Sequence, residues 1–319
     1  MSSLIMVRSG PAGMPAWPLA LAAVLLCVWG ALSAPGSSRA VALMAGTGLS
    51  ALLLVRRRFG WSEWALAAPC VGFFLAPLPA LMGLAVGWMT GPTDLARTVP
   101  GWILTLGTMA GGAWVVARRR RVHLAWSRGD VVALPLAGFA CLIFLPNFRI
   151  NGPDPVPGEF WLRGWVAQDG MYFFSLVQQI LERWAAPGEN PLLLGSPNRY
   201  PWLCHGALAG LLGGREPVAA VAGWWAMAWV SVCAVGTLGH EVGRWWGWCR
   251  RSRDARGGPP GVGLLLAAVG LGCWVVLRRD FFAYASTQLA ALGFLAGLLT
   301  LWAGSTLRPV WSAITRPDC

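Results

Sequence analysis

From residue 64 through residue 89 no side chain is charged. A run of about 20 apolar residues is enough to cross the hydrocarbon core of a bilayer as a helix. Further apolar runs cover residues 17–34, 40–55, 101–117, 131–145, 217–238, 261–277 and 282–303. Only 12% of the chain is charged, against about 25% in an ordinary soluble domain. No series of alternating ~10-residue segments is present, which excludes a membrane barrel. The sequence therefore predicts an all-α, polytopic transmembrane bundle of eight to nine spans.

Charge says which way the bundle sits. The formal net charge is +12 and every basic residue is an arginine. Arg56-Arg57-Arg58 and Arg118-Arg119-Arg120-Arg121 close apolar runs, as cytoplasmic loops do under the positive-inside rule. Attraction to anionic lipid accounts for these clusters, so no nucleic-acid partner is expected. With both clusters inside, the N-terminus is cytoplasmic and residues 90–100 face outward. The run 131–145 then delivers residues 148–200 to the extracytoplasmic side. That loop holds four arginines and five acidic residues, whereas the rest of the chain holds 21 and eight. The expected organisation is a four-span bundle over residues 1–126, followed by a membrane region over 127–319 that carries the loop. The expected location is a bacterial cytoplasmic (inner) membrane.

Cysteine usage points to packing. Six of the eight cysteines lie in apolar runs and no CxxC pair occurs, so they read as small buried hydrophobes. Prolines 69, 77 and 79 should kink the run 64–89, because each removes a backbone donor.

Polar chemistry concentrates between residues 148 and 205. Residues 170–184 read as an amphipathic helix. Tyr172, Ser175, Gln178, Gln179, Glu182 and Arg183 share one face. Phe173, Leu176, Val177, Ile180, Leu181 and Trp184 share the other, and should lie against the membrane surface. Asp169 stands one turn before Tyr172, either as a helix cap or as a carboxylate able to bind a divalent cation or accept a proton. Asp154, set among prolines, and Glu159 are the other acidic candidates. Arg199 could grip a phosphate or simply anchor the interface. His205 lies one turn inside the next apolar run, 200–214, which either crosses the membrane or re-enters it. Ionisable groups at membrane depth are costly and often functional.

The segment Asp169-Gly170-Met171-Tyr172-Phe173, a surface helix, and then Tyr200-Pro201-Trp202-Leu203-Cys204-His205 together resemble the polytopic GT-C type of glycosyltransferase. The similarity covers about a third of the chain, residues 131–238. That family usually begins with the span that leads into this loop, whereas here four spans precede that one. The resemblance implies transfer of a sugar from a polyprenyl-phosphate donor, with membrane lipid and the lipid-linked sugar as partners. Asp169 would be the catalytic base or metal ligand, assisted by Asp154 or Glu159. Arg199, Tyr200, His205 and Tyr172 would bind substrate, and a divalent ion such as Mg or Mn would be the cofactor. The competing expectation is a non-catalytic multi-pass protein: a transporter, a flippase component or an assembly subunit. A transporter would place polar groups inside its spans.

Overall fold

The computed structural model describes residues 13–55, 59–122, 124–125, 135, 169–185, 187–190, 193–197, 202–213, 226, 229–238 and 295–301. Helix makes up 81% of the described residues, which fixes the class as helical. Five helices form the first body: α1 (Trp17–Leu32), α2 (Ser37–Leu54), α3 (Trp61–Leu75), α4 (Pro77–Thr90) and α5 (Asp94–Ala117). Among the described residues, three helical stretches are long and apolar enough to cross a membrane, namely Ser37–Leu54, Trp64–Thr90 and Asp94–Ala117. The runs 131–145 and 261–277 lie outside the described residues, apart from Pro135.

Local sequence sets the breaks. The run 64–89 divides at Ala76, and α4 restarts with Pro77 in its first turn, where a missing N–H costs nothing. Pro69 stays inside α3. At the other end of α4, Gly91 takes φ +81 and turns the chain. Thr93 then caps α5, its Oγ1 accepting from the Ala96 N–H at 3.3 Å. The outward loop expected over residues 90–100 is thus only Gly91 to Thr93. Asp94 and Arg97 belong to the first turns of a 24-residue helix that carries Pro100 within it.

Close approach of backbones holds the bundle together. A Cβ at Gly48 would fall on the carbonyl of Ala68, and one at Gly72 on the carbonyl of Met44, so α2 and α3 meet through reciprocal glycines. Lipid gives helices little hydrophobic reason to associate, so small residues and interhelical hydrogen bonds supply it. Such bonds link α1, α2 and α5. Cys27 Sγ lies 3.5 Å from Thr47 Oγ1 and 3.3 Å from Thr108 Oγ1. Thr105 Oγ1 donates to the Cys27 carbonyl and Ser50 Oγ to the Thr108 carbonyl. The outer faces stay apolar, with Leu21, Leu25, Trp29, Leu78, Trp88, Leu106 and Met109 exposed as a lipid-facing surface requires.

The two ends of the body differ. At one end, β1 (Met14–Pro15) pairs antiparallel with β3 (Arg121–Val122), and β2 (Phe59–Gly60) pairs parallel with β4 (Leu124–Ala125). Arg120 Nη1 donates to the carbonyls of Leu53 and Leu54, both at 2.9 Å, closing the C-terminus of α2. Arg118 and Arg120 lie over the Trp114 ring. The arginine cluster after α5 therefore meets the end of α2, where Arg56 to Arg58 begin. The opposite end carries the turns at 33–36 and 91–93.

Candidate functional site

The amphipathic segment forms α6 (Asp169–Arg183), and it docks on the end opposite the arginine clusters. Leu176, Val177, Ile180, Leu181 and Trp184 are all fully buried. Val177, Ile180, Leu181 and Trp184 join one core cluster with α4, α5 and α7 (Leu203–Leu212). The apolar face predicted from periodicity is thus the buried face, but protein covers it where a membrane surface was expected.

Two side chains fasten the C-terminal end of α6. Arg97, 1% exposed, donates from Nε to the Leu181 carbonyl at 3.0 Å and from Nη2 to the Glu182 carbonyl at 2.8 Å. Its Nη1 donates to the Pro92 carbonyl at 2.6 Å. The Leu181 and Glu182 carbonyls are among the last four of α6, which have no intrahelical partner. A cation there also complements the helix dipole. Trp184 follows in the left-handed region, φ +47, and its Nε1 donates to the Gly83 carbonyl at 2.8 Å. Its ring lies where a Cβ on Gly87 would stand.

Asp169 opens α6 and Tyr172 belongs to its first turn. On the polar side, Gln178 Nε2 donates to Glu182 Oε1 at 2.8 Å, and Glu182 and Arg183 are exposed. His205 sits in the first turn of α7, 4% exposed, with Nδ1 3.2 Å from Cys204 Sγ. The structure brings α7 against α6 and α4, so His205 and the docked helix share one end of the body. At ten residues α7 is about 15 Å long, half the hydrocarbon thickness, and ends on Gly213 in a left-handed cap. It does not cross a bilayer as a single helix. Asp154, Glu159, Arg199 and Tyr200 lie outside the described residues.

Comparison with known proteins adds no relative. No protein-family model, curated protein or solved structure matches the chain. Functional assignment rests on the site itself.

Among the described residues, no group of three or more His, Cys, Asp or Glu side chains could hold a metal ion. An apolar cavity of about 270 Å³ opens between α1, α2 and α3, lined by Leu19, Leu26, Leu49, Trp61, Trp64 and Trp229. It lies toward the arginine-rich end, away from His205, and offers no reactive group. Sequence reasoning missed a second buried cation. Arg39, in the first turn of α2, is 3% exposed. Its Nη1 donates to the carbonyls of Ala31 at 3.1 Å and Ser33 at 3.5 Å. Its Nε and Nη2 are buried and have no hydrogen-bond partner. A signal was available, because an arginine directly before an apolar run, after Pro35-Gly36-Ser37-Ser38, stands at a helix N-terminus.

Proposed function

We propose that this chain is an integral membrane glycosyltransferase-like protein. It would transfer a sugar from a polyprenyl-phosphate donor on the extracytoplasmic side of a bacterial cytoplasmic membrane, with its N-terminus inside. One observation carries the reading: the helix that opens at Asp169 is fixed by Arg97 and Trp184 to the bundle end opposite the arginine clusters, against the helix that bears His205. Arginine-rich ends face the cytoplasm, so this end faces outward. A carboxylate held there meets an acceptor hydroxyl and a lipid-linked donor in the outer leaflet.

In this reading Asp169 is the base that takes the acceptor proton, or a ligand to a divalent ion such as Mg or Mn, and Asp154 or Glu159 assists. Arg199 and His205 hold the phosphate, with Tyr172 and Tyr200 against the sugar. Asp169→Asn in reconstituted membranes supplied with donor lipid should cut transfer by about 100-fold or more while leaving the fold intact. Full transfer by that variant overturns the assignment.

The alternative, a non-catalytic transporter, flippase component or assembly subunit, draws support from Arg39, a cation buried among helices. It predicts lipid binding or uptake without any transfer.

A further inference from the structure

We infer that Arg39 and the N-terminus of α2 form a binding site for a phosphate group, carried by a membrane lipid at the outer end of the N-terminal bundle. The inference goes beyond sugar transfer and holds whether or not the chain is an enzyme.

Two independent observations meet at this point. The first is the helix start. Gly36, the residue before α2, has φ +144 and no side chain to cap the helix. The first helical bond runs from the Ala40 N–H to the Gly36 carbonyl, so the amides of residues 37 to 39 stand outside the ladder. Such amides, with the positive end of the helix dipole, attract anions. Ser37 and Ser38 add two hydroxyls at the same turn.

The second is the arginine. Helical side chains lean toward the N-terminus, and Arg39 reaches back past its own helix start to Ser33 and Ala31. Only Nη1 is used there. Nε and Nη2 are the edge of the guanidinium that fits two oxygens of one phosphate. That edge is left unpartnered. The contrast with Arg97 is informative. Both arginines are buried near the same end of the body, yet Arg97 donates from Nε, Nη1 and Nη2 to carbonyls, as a purely structural arginine should. A buried guanidinium with an unpaired bidentate edge is costly unless something anionic visits it.

The surroundings suit a visitor. Bare backbone covers the edge: a Cβ on Gly213 would stand 2.8 Å from Nε, and one on Gly101 would stand 2.9 Å from Nη2. Gly213 is the last turn of the ten-residue helix α7, at φ +70, and the Gly36 N–H holds that turn through the Leu212 carbonyl at 3.3 Å. Phosphate binding displaces this turn and takes over its place beside the guanidinium. Phosphate is the anion that every phospholipid carries.

The test uses the full chain in neutral detergent with three probes: dioctanoyl phosphatidic acid, dioctanoylglycerol and inorganic phosphate. Phosphatidic acid should bind and raise the melting temperature, and dioctanoylglycerol should not. Stabilisation by inorganic phosphate as well assigns the site to phosphate in general; its failure assigns the site to the lipid form. Arg39→Met should weaken phosphatidic acid binding by about tenfold or more. Without ligand the same variant loses the bonds to the Ala31 and Ser33 carbonyls along with a partly satisfied buried charge, so its own unliganded melting temperature is the baseline for its response to lipid. Absence of binding to wild type, or equal binding by Arg39→Met, overturns the site. If Arg39→Met fails to fold, Arg39→Lys decides: it keeps the charge and loses the bidentate edge, so undiminished binding overturns the site and weakened binding supports it.

Discussion

Arg97 Nη2 donates to the carbonyl of Glu182 at 2.8 Å, joining the second turn of α5 to the end of a helix 85 residues later in the chain. With the bond from Nε to Leu181, one side chain satisfies two orphan carbonyls of α6. The contact lies at the step where a separate amphipathic helix becomes part of the bundle. Arg97→Met should leave those carbonyls buried and unpaired, at about 1–3 kcal/mol each. Hydrogen exchange should rise over residues 176–184 while residues 101–117 keep their protection. Equal loss in both segments would mean that Arg97 supports the whole bundle and not the docking alone.

Trp184 makes the other half of the fastening, and its energetics divide cleanly. Trp184→Phe keeps the ring and loses the bond to Gly83, whose carbonyl keeps its place in the α4 ladder, so it should cost only about 0.5–1.5 kcal/mol. Trp184→Ala also empties a fully buried site and should cost about 3–5 kcal/mol. Gly87→Ala reaches the same anchor from the other side, because its methyl group would overlap the indole. All three variants should be read by thermal unfolding in detergent. Gly87→Ala should mimic Trp184→Ala more closely than Trp184→Phe.

Glycine placement yields a sharper contrast within the bundle. Gly48→Val and Gly72→Val each drive a side chain into the backbone of the facing helix, and both should abolish α2–α3 packing. Gly107 faces open space on α5, with nothing near its absent Cβ. Gly107→Ala should be neutral or stabilising by up to about 1 kcal/mol, since alanine is the better helix former. Yield of monodisperse protein and melting temperature together check the set.

What could be read from the sequence follows from how local each signal is. The apolar runs and the convergence of the arginine clusters needed only hydropathy and charge, and Arg120 closing α2 is the physical form of that convergence. Leu176, Val177, Ile180, Leu181 and Trp184 of the face named from the sequence are buried, because a 3.6 period names the face, while the side chain of Phe173 lies outside the described residues. The period does not name the partner, and protein took the place assigned to the membrane surface. Arg97 fell in the loop expected over residues 90–100 because the apolar run begins only at Gly101, yet α5 begins at Asp94. Arg39 was invisible for a related reason. A window of hydropathy ends at a charge, and only the tertiary placement of Gly101 and Gly213 shows that this charge is enclosed. Asp154, Glu159, Arg199 and Tyr200 fall outside the described residues, so their part in the site stays a proposal.

Orientation is the last quantity to measure, and the two ends of the body offer exposed positions for it. Pro92 is exposed in the α4–α5 turn, and Arg119 is exposed just beyond the end of α5. Cys27, Cys70, Cys204 and Cys233 are buried, and unsubstituted protein serves as the blank for the remaining thiols. A membrane-impermeant maleimide should label Pro92→Cys in intact cells. Arg119→Cys should react only after the membrane is opened, because the arginine cluster is retained on the cytoplasmic side. The reverse pattern would put α6 and His205 in the cytoplasm and remove the ground for transfer in the outer leaflet. The bonds of Arg97, Trp184 and Arg39 would stand unchanged, so this one result separates the function proposed from the architecture that supports it.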